Sequence, residues 1–73
     1  MLEPGDIVGV RGHHTAYRPL PRGDDRVYLR PGQVYCVLAM VDWNDTGWWA
    51  MVSGDVGLAW VWSGWLSEPK DAG

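Results

Sequence analysis

Residues 43–66 read WNDTGWWAMVSGDVGLAWVWSGWL. The fold turns on how this stretch is cut. WNDTG opens the segment WWAMVSGDVG, which is followed by LAWVW and SGWL. Apolar runs of four to eight residues, rich in Val and Trp and bounded by Gly, Asn and Asp, have the signature of strands. Within AWVW, Trp60 and Trp62 share one face while Ala59 and Val61 take the other. Small residues in and indoles out is one solution. The opposite parity places two indoles in a thin core, where each N–H needs an acceptor.

Working outward, the same punctuation recurs. EPG at 3–5 precedes DIVGVRG, PLPRGDD at 19–25 precedes VYL, and RPG at 30–32 precedes QVYCVLAMV. In the last of these both parities are apolar, which suits a central strand that bends so that each face meets something. Nowhere do ten residues repeat at three-to-four spacing without an interrupting Gly or Pro, so no amphipathic helix is expected. The reading is all-β: about five short antiparallel strands over residues 1–67, closing into one small barrel domain, with a polar tail, EPKDAG, at 68–73.

The bounds of the chain sharpen the question of the indoles. All six tryptophans of the 73 residues fall within 43–66, beside three Tyr and no Phe. A chain of this size buries only about 60% of the surface its unfolded form exposes, so its core is thin. Trp and Tyr carry a polar tip that wants a partner or water, and some of these rings are therefore expected at the surface. The formal charge is −3, and five of the six bases lie between Arg11 and Arg30. That balance argues against a general phosphate-backbone binder. A lone cysteine, Cys36, cannot form an internal disulfide and reads as a small buried hydrophobe, which with the absence of a leader or a bilayer-length apolar stretch gives a cytoplasmic expectation.

The stretch from Asp24 to Leu66 resembles the Src-homology-3 domain. DDRVYLRPGQVYCVL is similar to the segment after that family's first large loop, DTGWW to the Gly-Trp-Trp opening its third strand, and GLAWVWSGWL to its Gly-apolar ending with an aromatic in the last turn. The resemblance implies that Trp48 is the groove tryptophan that stacks on proline, that Trp65 replaces the last-turn tyrosine, and that Asp24 and Asp25 pair with a basic residue of the ligand. Tyr17 would stand for a tyrosine of the first motif. A second resemblance, carried by PGDIVGVRG and RPGQVY, is to small phage and prophage proteins that open Gly-Asp-x-Val. In that alignment residues 12–26 form one long loop. Whether Tyr17 lies on a strand or on that loop stays open.

Other constellations carry less. His13 and His14 are adjacent, and adjacent strand residues point to opposite faces, so the pair reads as an exposed loop rather than a metal site. RGD at 22–24 reads as a chance tripeptide. RPLPRG is a loop stiffened by Pro19 and Pro21. Ser53, Ser63, Ser67, Thr15 and Thr46 stand in no nucleophile context, and neither an enzyme nor a cofactor is expected.

The function expected from the sequence is a non-catalytic barrel that binds another protein through Trp48, Trp62, Trp65 and Tyr17, helped by Asp24 and Asp25 and by Asp42, Asp45 and Asp55. The phage resemblance implies inhibition of a host protein complex, such as a CRISPR-type defence machine whose basic channel an acidic protein covers. The alternative is an adaptor that reads proline-rich peptides through an aromatic groove. Direct stacking on single-stranded nucleic acid is disfavoured by the charge. Two-fold self-association is expected, because surplus indole and the apolar strand QVYCVLAMV leave a patch or an edge to cover.

Overall fold

The computed structural model describes residues 2–67, and the expected tail at 68–73 lies outside the described residues. Seven strands are present: β1 (Ile7–Val10), β2 (His14–Arg18), β3 (Asp25–Leu29), β4 (Tyr35–Asp42), β5 (Trp48–Gly54), β6 (Gly57–Trp62) and β7 (Leu66–Ser67), with a 3-10 turn at Ser63–Trp65. They form one curled sheet in the order β3-β2-β6-β5-β4-β1-β7, antiparallel throughout. The all-β expectation stands, and among the described residues no helix is long and apolar enough to cross a membrane.

Two details differ from the expectation. Seven strands replace about five, because HTAYR at 14–18 is a strand and a two-residue strand closes the sheet beyond Trp65. In HTAYR only Ala16 is fully buried, so the segment lacks the apolar run that marks a strand in sequence. The sheet is also a half-barrel, since β3 and β7 stand at its two ends and do not pair with each other. Tyr17 therefore lies on a strand, directly opposite Trp60 of β6.

Register assigns every strand residue to one of two faces. Val37, Val52 and Ala59 lie side by side across β4, β5 and β6, and Ala50 faces Val61. These residues, with Val8, Val10, Ala16, Leu29 and Tyr35, form the inner core. No tryptophan belongs to that core. The other parity carries Met51 opposite Trp60 and Trp49 opposite Trp62, so the outer face holds these three indoles, while Trp48 takes the parity of Ala50 and Val52. Small residues in and indoles out is the arrangement adopted.

The doubly apolar run QVYCVLAMV has a geometric cause. The register of β4 against β5 slips between Val37 and Ala39, so Leu38 is an extra, exposed residue. A bulge of this kind exchanges the faces of the residues that follow it. Before it Tyr35 and Val37 point inward; after it Met40, opposite Ala50, packs against the core. The strand has β5 along one side, and on the other β1 pairs with its first two residues, Tyr35 and Cys36.

The far end of the sheet is tied by Tyr35, which is 1% exposed. Its phenol oxygen accepts the Arg30 backbone N–H at 3.0 Å. Burial pushes the phenol above the ordinary tyrosine range, while the bond from Arg30 opposes the rise. Arg30 in turn pairs with Asp55 in the β5–β6 turn, joining two loops that are 25 residues apart in sequence.

Candidate functional site

The outer face gathers Tyr17, Trp49, Trp62 and Trp65 around one cleft of about 460 Å3, whose rim is completed by His13, His14, Thr15, Arg22 and Thr46. Local sequence explains how each ring is held. Between β4 and β5, Asn44 and Asp45 both take left-handed φ, 47° and 58°, and Thr46 N–H returns to Trp43 O at 2.9 Å. Two consecutive left-handed residues make a hairpin turn whose twist matches the flanking strands. The turn delivers Thr46 to the cleft, where its hydroxyl donates to Trp43 O and accepts the Trp49 indole N–H at 2.9 Å. Trp49 is thereby buried, at 5% exposure, with its polar tip satisfied.

Trp49 forms the floor. Tyr17 meets it edge-on, with centroids 5.9 Å apart and ring planes at 63°. Trp62 lies across the hairpin from it, and Trp65, from the 3-10 turn, meets Trp62 at 5.2 Å and 74°. His14 lies parallel to Trp65 at 4.6 Å and 12°. Two glycines set the position of Trp62. A Cβ on Gly47, whose φ is +101°, would sit 2.9 Å from the Trp62 indole nitrogen, and a Cβ on Gly64 would overlap the six-membered ring. The indole occupies space that only glycine leaves free.

The cleft is rich in donors. Trp60 and Trp49 spend their N–H groups inside the protein, Trp60 on Pro19 O at 3.0 Å. Among the described residues the indole N–H groups of Trp62 and Trp65 have no such protein acceptor, and both rings are exposed, at 37% and 47%. Arg22 stands at its rim, and among the described residues no Asp or Glu lines the space.

Of the residues expected to act together, Tyr17, Trp62 and Trp65 meet at this cleft and the other six do not. Trp48 is exposed at 40% but belongs to the opposite parity of β5 from Trp49, so the tryptophan at the floor of the groove is Trp49. Asp24 and Asp25 are exposed outside the lining, and Asp25 lies 3.5 Å from the Arg18 guanidinium. Asp42 and Asp45 also stand outside it, and Asp55 is engaged by Arg30.

Trp49, Thr46, Arg22 and the two histidines also line the cleft, and none of them was expected on the binding face. For Trp49 a signal existed: pairing outward from Gly54 and Gly57 sets Trp49 opposite Trp62 on one face. His13 precedes β2, so strand alternation does not separate it from His14, and both reach the cleft. Among the described residues no three His, Cys, Asp or Glu side chains are grouped as a metal would need. Cys36 is half-buried on the outer face, opposite Ser53. Comparison with family models, with curated proteins and with solved structures finds no match.

Proposed function

We propose that the protein is a non-catalytic binding module whose outer-face cleft receives an extended, proline-containing segment of another protein. The observation that carries this reading is the pair of crossed aromatic contacts, Trp62 with Trp65 at 74° and Tyr17 with Trp49 at 63°. Crossed rings make notches with walls on two sides. A pyrrolidine ring, which is thick and ridged, fills a notch, whereas a flat nucleobase needs a free parallel platform. One such platform, on Trp65, is already taken by His14. A polyproline II segment is also pre-organised and presents backbone carbonyls in need of donors. The indole N–H groups of Trp62 and Trp65 supply them.

Inhibition of a host complex by acids set beside indoles draws less support, because Asp24, Asp25 and Trp48 stand apart from the cleft. The test is a tryptophan-fluorescence titration with a proline decamer. Saturable binding that weakens about ten-fold or more in Trp65→Ala supports the reading, since aromatic anchors dominate such interfaces. No saturable change, or equal affinity in the variant, refutes it.

A further inference from the structure

Arg22 is exposed at the rim of the cleft, and its backbone is unusual. Leu20 to Gly23 form a tight turn closed by Gly23 N–H on Leu20 O at 2.8 Å, with Pro21 at its second position and Arg22 at its third with φ +59°. That is the type II pattern, in which the third position favours glycine because a side chain there is strained. Glycine instead occupies the next position, where a Cβ would collide with the Arg18 backbone. A side chain kept where glycine is preferred points to a task for that side chain. Here the residue lines a cleft whose other polar groups are indole, imidazole, phenol and hydroxyl, with the Trp62 and Trp65 N–H groups free to donate, in a chain whose net charge is −3. Among the described residues no Asp or Glu lines the cleft.

We propose that the segment bound in the cleft is acidic: a proline-containing peptide flanked by Asp or Glu, with a carboxylate seated on Arg22. This deepens the proposed function and rests on it. It inverts the polarity implied by the sequence resemblance, in which acids of the module select a basic ligand. Charge complementarity sets the choice of partner, and the crossed rings set its extended form.

The experiment compares three proline decamers, flanked by two Glu, two Lys or two Ser, with a thymidine decanucleotide, at about 20 mM and about 500 mM salt. At low salt the Glu-flanked peptide is expected to bind at least about five-fold tighter than the Lys-flanked one, and the gap should narrow at high salt. Arg22→Gly is the decisive variant, because glycine suits the turn and the fold should hold or gain stability. It should abolish the preference, bringing the Glu-flanked peptide down to the affinity of the Ser-flanked one. Binding of all three peptides with equal or Lys-favoured affinity overturns the acidic partner and leaves the proline groove standing. Binding of none removes both. Tighter binding of the oligonucleotide, lost in Arg22→Gly, overturns the peptide and assigns the cleft to a nucleic-acid strand.

Discussion

The Thr46 hydroxyl shows how far one atom sets the site. It is the acceptor for the buried Trp49 N–H, so Thr46→Val should leave that donor unpaired at a cost of about 1–3 kcal/mol, whereas Thr46→Ser should be close to neutral. Urea unfolding of the two variants separates a hydrogen bond from a simple change of shape. The six indoles should also sort by depth. Trp49→Ala empties the cleft floor and should cost roughly 3–5 kcal/mol, while Trp62→Ala and Trp65→Ala should each cost about 1 kcal/mol or less and still weaken peptide binding. The residue roles were legible only in part. Exposure of some rings followed from the skew toward Trp and Tyr, but the choice of Trp49 over Trp48 depends on hairpin register. The placement of Arg22 depends on a turn that bends a loop over the sheet, and nothing local in PLPRG announces it.

Among the elements, the WNDTG hairpin and the Arg30–Asp55 tie make separate tests. Asp45 sits at φ 58°, where glycine is less strained, so Asp45→Gly should raise stability by up to about 1 kcal/mol without altering the cleft. A thermal melt with an unchanged peptide affinity is the expected result. For the tie, the hydrogen bond from Arg30 holds the Asp55 carboxyl below the ordinary carboxylate value. The folded state then binds fewer protons than the unfolded chain between that depressed value and the ordinary range. The stabilisation is complete above the ordinary range and is lost as the pH falls through it to the depressed value. Asp55→Asn should therefore be less stable than wild type at neutral pH, with the gap in urea midpoints closing as the pH falls below the ordinary carboxylate range. Strand existence was readable wherever apolar residues alternated between turn clusters. It was unreadable at HTAYR, whose partners, not its composition, make it a strand. The bulge at Leu38 was equally hidden, because two apolar parities look alike before and after it.

For the whole molecule, the core and the site occupy opposite faces of one curled sheet. The inner face is sealed by Val, Ala, Leu and Tyr35, and the outer face carries Trp49, Trp60 and Trp62. That separation lets a domain with a thin core expose aromatic surface without unfolding when the surface is altered. It also leaves an outer row, Ile7, Cys36, Ser53 and Leu58, whose two ends are exposed. Self-association, proposed from the sequence, would cover this row. Light scattering at micromolar concentration should find a dimer that Leu58→Glu splits; a monomer mass throughout removes the proposal. The central claim is that the cleft of Tyr17, Trp49, Trp62 and Trp65 is the binding site. Its most direct test is the indole N–H region of a nitrogen-15 correlation spectrum, recorded while the Glu-flanked proline decamer is added. The account predicts that the Trp62 and Trp65 resonances move progressively to saturation while those of Trp43, Trp48 and Trp60 stay in place. Movement of Trp48 with Trp62 and Trp65 unmoved would contradict it.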